Sequence, residues 1–172
     1  SSSHRNFILI SLALASALPT INLTVANAVL PQMQGDLSAS LEEVSWVLTA
    51  ALVSTAIGVP TSSWFSLRFG RRRSLLVALA SFTLASLMFT FASTLSEVIV
   101  WRTVQGLTGG PIPSLCMAAL LDTYPKRLHA MALAFWSGGT MLGPILGPPI
   151  GSVMTQIYDW RLAFSFLAPL GI

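Results

Sequence analysis

Five apolar runs, each about as long as a hydrocarbon layer is thick, constrain this chain more than any other feature. They lie at Phe7–Leu30, Val44–Phe65, Ser74–Ser93, Ser96–Leu121 and Met131–Met154. A membrane-crossing helix needs about 20 mostly apolar residues. A sixth run opens near Trp160 and reaches Ile172 after about 13 residues, too few to cross. The expected fold is all-α: a polytopic membrane helix bundle of five complete transmembrane helices plus the start of a sixth. Composition agrees, since 53% of the residues are hydrophobic and 9% are charged, against about 25% charged in soluble domains. Nine Lys and Arg in total are too few for a nucleic-acid binder. The single cysteine, Cys116, excludes an internal disulfide and a cysteine-based metal site, and its apolar setting suits an inert thiol.

The first run also has a second reading. Arg5, the stretch Phe7–Leu18 and Ala15-Ser16-Ala17 resemble a signal peptide with its cleavage site. The apolar run continues to Leu30, however, which is long for a signal core, and a retained helix is expected.

The polar links predict the orientation. The link Pro31–Glu43 holds Asp36, Glu42 and Glu43 with no base, and the link near Ser93–Glu97 holds only an acid. The links Ser66–Arg73 and Asp122–Ala130 carry Arg68, Arg71, Arg72, Arg73, Lys126 and Arg127. Positive charge is retained on the cytoplasmic side, so the N-terminus with Arg5 is expected inside. Arg102 and Arg161 are the exceptions. Trp46, Trp64 and Trp160 fall at the expected interfaces, where indoles are favoured.

An ionisable residue inside a span is costly and marks a functional site by default. All six carboxylates avoid the span interiors, and Arg102 is the charge placed well inside. It could snorkel to the headgroups. Alternatively, it faces the bundle interior, because Gln105, Gly106 and Gly109 share its helical face by spacing. Its natural partner would sit on the first helix, which offers Asn22, Thr24 and Asn27; an amide there accepts a hydrogen bond but takes up no proton near neutral pH. The fifth run repeats Gly139, Gly143, Gly147 and Gly151 every fourth residue, with Pro144 and Pro148 at the same interval. Such a glycine ridge lets another helix approach closely, and two copies could pair through it. The prolines there, with Pro60, Pro111 and Pro113, predict bent or broken helices. Gly70 within the basic link predicts a tight turn with positive φ.

An intramembrane enzyme has no support. The spans hold no Asp pair or His–Glu metal motif, His129 lies in a link, and Ser137 lacks the glycine pattern of a nucleophile elbow.

Together these residues resemble the major facilitator superfamily, and most closely its EmrB/QacA-type drug/proton antiporters with fourteen helices. The resemblance rests on five segments in order: Asn22–Pro31, Ser63–Arg73, Arg102–Gly110, Gly139–Gly151, and Trp160-Arg161 with Phe164 and Pro169–Gly171. It implies that residues 1–172 are the N-terminal transmembrane domain of a transporter, ending within the sixth helix. It further implies proton-driven export of hydrophobic, often cationic compounds by alternating access, with no bound cofactor. Arg102, Gln105, Asn22 and Asn27 would line the substrate and proton pathway. Arg68, Gly70, Arg71 and Asp122 would form the gating link, and Gly143 and Pro144 would shape the helix between the two halves. Implied partners are the bilayer of the inner membrane, a hydrophobic substrate, a C-terminal half, and a membrane-fusion protein with an outer-membrane channel. The chain departs from the family pattern in four places. Asn22 stands where an acid is usual, Leu67 replaces the acid of the gating link, Ser63 replaces that link's first glycine, and Leu167 replaces an asparagine. These losses leave two other readings open, an uncoupled facilitator and a non-transporting partner subunit.

Overall fold

A computed structural model describes residues 2–157 and Phe164. Six α-helices follow one another: α1 (Ser2–Asp36), α2 (Leu41–Phe69), α3 (Arg71–Thr90), α4 (Leu95–Gly109), α5 (Pro111–Thr123) and α6 (His129–Ile157). A single 3-10 turn, Lys126–Leu128, links the last two. Among the described residues, five helices are long and apolar enough to cross a membrane, with α4 and α5 forming one of them. The expected sixth helix, including Trp160 and Arg161, lies outside the described residues apart from Phe164.

The fourth run departs from the single helix expected over Ser96–Leu121, because it is interrupted at Gly110. Pro111 and Pro113 have no N–H, so the carbonyls one turn earlier receive no backbone donor at those two positions. Gly110 itself still donates to the Gly106 carbonyl at 2.9 Å. The other prolines do not break their helices. Pro60 sits inside α2, and Pro144, Pro148 and Pro149 sit inside a continuous α6.

Two of the link acids, Glu43 and Glu97, prove to belong to helix caps. Ser40 and Glu43 form a capping box at the start of α2, and Thr94 and Glu97 form a second at the start of α4. Each satisfies amides that would otherwise lack acceptors. Gly70 ends α2 with φ of 81°, the positive φ anticipated for this link, and α3 begins at the next residue.

Packing is inverted relative to a soluble bundle. Leu14, Ile57, Val77 and Ile145 lie on the outside, whereas Asn22, Ser54, Ser86, Arg102 and Gln105 are buried. One apolar cluster, around Val29, Met33, Val47, Phe89 and Val98, gathers the α1–α2 and α3–α4 ends with Leu37 and Leu95. A second, around Leu12, Phe82, Cys116 and Leu120, extends to Tyr124. Near it the Tyr124 hydroxyl donates to the Arg5 carbonyl at 3.0 Å. The links therefore alternate between the two ends of the bundle, as the charge pattern requires.

The glycine ridge of α6 is the seam with α1. A Cβ placed on Gly139, Gly143, Gly147 or Gly151 would strike Ala13, Thr20, Thr24 or Ala28 at 2.8, 2.2, 1.8 and 2.8 Å. Four glycines spaced close to one turn apart thus mesh with four α1 residues spaced one or two turns apart. The Thr24 hydroxyl also donates to the Gly143 carbonyl at 3.3 Å, and Trp136 Nε1 donates to Ser16 at 2.9 Å. The ridge is filled by α1 of the same chain, so it does not offer a surface for pairing two copies. Pro144 and Pro148 stay exposed on the other side of α6.

Candidate functional site

Arg102 does not snorkel. It is 1% exposed, a turn and a half or more inside α4, and every contact it makes is within the bundle. Its Nη1 donates to Asn22 Oδ1 on α1 and to Gln105 Oε1 at 3.1 Å on its own helix. Gln105 Nε2 in turn donates to the Ser86 hydroxyl on α3 at 3.2 Å. The guanidinium also lies over two ring faces, Phe89 at 4.7 Å and Phe164 at 4.4 Å. Aromatic faces attract a cation most where water is excluded. Asn22 Nδ2 and Arg102 Nε and Nη2 have no hydrogen-bond partner among the described residues. The sole carboxylate pairing among the described residues lies elsewhere, so Arg102 is a buried cation held by amides and rings.

This group borders a cleft of about 290 Å³ that also touches Pro19, Thr20, Thr55, Pro113 and Ser114. Of the anticipated pathway residues, the fold brings Arg102, Gln105 and Asn22 to one place. Asn27 is on the exposed side of α1 and does not border the cleft, because five helical residues rotate it well away from Asn22. The glycines of the stripe serve packing as well as the cleft. A Cβ on Gly106 would meet Ser54 Oγ at 1.9 Å and the Ala51 carbonyl at 2.5 Å, and one on Gly109 would meet Phe82 at 2.9 Å.

The residues expected to form a gating link are not all brought together. Arg71 Nη1 forms an ion pair with Asp122, tying the start of α3 to the end of α5, and Gly70 makes the turn before it. Arg68 does not join them. It stacks on Trp64 at 5.6 Å and Phe69 at 5.9 Å. The Arg71 and Asp122 side chains are 48% and 60% exposed, and exposed pairs contribute at most about 1 kcal/mol. Asp122→Asn is therefore expected to lower the stability of the purified protein by less than about 1 kcal/mol in a thermal melt.

The sequence reading missed Ser86, Phe89 and the stacking of Phe164 on Arg102. Ser86 had a usable signal, a hydroxyl within an otherwise apolar run. The phenylalanines had none, because apolar positions are interchangeable until the helices are placed.

A bundle of membrane-length helices, polar within and apolar without, folded around a buried arginine, defines a polytopic membrane protein. A family model described as Major Facilitator Superfamily matches residues 12–172, and the chain belongs to that superfamily. It is 35% identical over 163 residues to the multidrug export protein EmrB of Haemophilus influenzae, a match covering 95% of this chain and 32% of that protein. It is 31% identical over 166 residues to the fatty acid resistance protein FarB of Neisseria gonorrhoeae, covering 96% and 33%. The chain thus spans about a third of the length of these relatives. Its fold matches the inward-open conformation of the xylose transporter XylE from E. coli with a TM-score of 0.84. That match has 18% identity and covers 97% of this chain and 45% of XylE.

Proposed function

We propose that residues 1–172 form the N-terminal transmembrane domain of an exporter of small hydrophobic or cationic compounds. The observation that carries this reading is Arg102, wholly buried with Asn22 and Gln105 beside a cleft between membrane helices. A cation desolvated in this way is costly to keep and marks a functional site by default. The names and share of length of the export and resistance relatives support the same assignment. The domain sits in the inner membrane with its N-terminus cytoplasmic, as the basic links suggest, and works with a C-terminal half of the same protein. A membrane-fusion protein and outer-membrane channel would carry cargo onward.

Transport is non-covalent. A substrate sheds water into the cleft, and the two halves rock between inward- and outward-open states. The proton gradient supplies the energy. Among the described residues no carboxylate borders the cleft, so the proton-binding acid belongs to another part of the protein.

The test uses inverted membrane vesicles bearing the full-length protein and a lipophilic fluorescent cation. Accumulation should start when the vesicle interior is acidified and stop when a protonophore collapses the gradient. The neutral amide of Asn22 beside Arg102 favours a second reading, an uncoupled facilitator, for which flux would ignore the protonophore.

A further inference from the structure

A second and larger cleft, of about 480 Å³, opens between α2 and α3 with α4 and α5 as its floor. Arg102 does not border it. Phe65, Phe69, Val77, Leu107 and Leu115 give it apolar walls, and Arg73 and Ser74 stand at the α2–α3 turn. Val77, Phe69 and Phe65 are 63%, 49% and 46% exposed, so the cleft opens sideways, toward the surface that a membrane protein turns to lipid. Along α3 it runs from Arg73 to Ser81, about 12 Å at the helical rise.

Its polar end is unbalanced in charge. α3 starts with Arg71, Arg72 and Arg73, has no acid in its first turn, and has Gly70 as a cap without a side-chain acceptor. Cations at a helix N-terminus oppose the helix dipole, and the free amides there favour an anion. Arg71 is neutralised by Asp122, whereas Arg72 and Arg73 have no carboxylate partner among the described residues. Independently, Ser74 is 7% exposed, borders the cleft, and its hydroxyl has no hydrogen-bond partner among the described residues.

We infer that this cleft is a binding site for one anionic phospholipid. The phosphate sits at the start of α3 against Arg73, the Ser74 hydroxyl and the first-turn amides, and an acyl chain fills the apolar groove toward Ser81. The phosphate supplies the negative charge that the arginines and the helix end lack. The Arg68–Trp64–Phe69 stack flanks the same turn and gives the headgroup region an aromatic border.

The full-length protein, purified in mild detergent, would be incubated with equal amounts of phosphatidylglycerol and phosphatidylcholine bearing the same chains. Native mass spectrometry then counts the retained lipid. The expected result is a retained phosphatidylglycerol favoured about fivefold, the scale that one arginine confers on an anionic headgroup. Arg73→Gln should cut that preference at least threefold while phosphatidylcholine retention holds. Val77→Trp, a change at an exposed position, should fill the groove and reduce retention of both lipids. Equal retention of the two lipids would overturn the assignment, as would a preference untouched by Arg73→Gln. Retention of neither lipid would overturn it too, because an apolar helix from another part of the protein would then cover the groove.

Discussion

Gly147→Ala is expected to destabilise the bundle by about 3 kcal/mol, at the upper end for overpacking a tight contact. The added methyl would lie 1.8 Å from Thr24 Oγ1 and 2.6 Å from Thr24 Cβ. Rotating the threonine moves the hydroxyl but not the Cβ, so α1 and α6 must separate along the whole seam. Separation would also cost the hydrogen bond from Thr24 to the Gly143 carbonyl. Gly138 provides the control, since a Cβ there meets nothing within 4 Å. Gly138→Ala should be neutral or slightly stabilising, because alanine is the better helix former. Thermal unfolding in detergent, followed by tryptophan fluorescence, checks both. Equal behaviour of the two variants would mean that the seam is looser than described.

The second large effect concerns Asn22. Asn22→Leu should cost about 2–3 kcal/mol, because it removes an acceptor from a buried cation while leaving the cation in place. Adding Arg102→Met should restore most of that loss. The double variant has neither charge nor unmet acceptor at this contact, and methionine fills similar space between Phe89 and Phe164. Arg102→Met alone should have a small effect, since relief of desolvation offsets the hydrogen bonds lost to Asn22 and Gln105. A thermal double-mutant cycle measures the coupling directly. Additive effects would show that Asn22 and Arg102 do not depend on each other.

Much of this was legible from the chain because the bilayer leaves few options. Helix positions followed from run length, and alternation of the links followed from where Arg68–Arg73 and Lys126–Arg127 lie. Gly70 could be read as a positive-φ turn because it sits between two runs with no room for a longer link. Asn22 could be matched to Arg102 because a buried guanidinium needs an acceptor and the first helix offers few. Asn27 was drawn in by the same logic and fails on helical rotation, a factor of three-dimensional packing that polarity alone does not report. The glycine spacing of α6 announced a close approach but not its partner. That partner is α1, whose Ala13, Thr20, Thr24 and Ala28 carry no distinguishing mark in sequence. The interruption at Gly110, and its absence at Pro60 and Pro144, likewise depend on packing that holds some proline-containing helices continuous and not others.

The division of labour between the two seams bears on how such a domain could move. α6 is fixed to α1 by glycine-to-side-chain contacts, and α4 is fixed to α2 through Gly58, Gly106 and Gly110 at backbone distances. Rearrangement within the domain is therefore costly, and motion is expected as a rigid body about its cytoplasmic link.

The most direct test is gradient-driven accumulation of a hydrophobic substrate in inverted vesicles, comparing full-length wild type with Arg102→Met at matched abundance and matched thermal midpoint. Loss of at least tenfold in initial rate, with the protein intact in the membrane, is the expected result. An unchanged rate would contradict the assignment of the Arg102 cleft to the transport pathway.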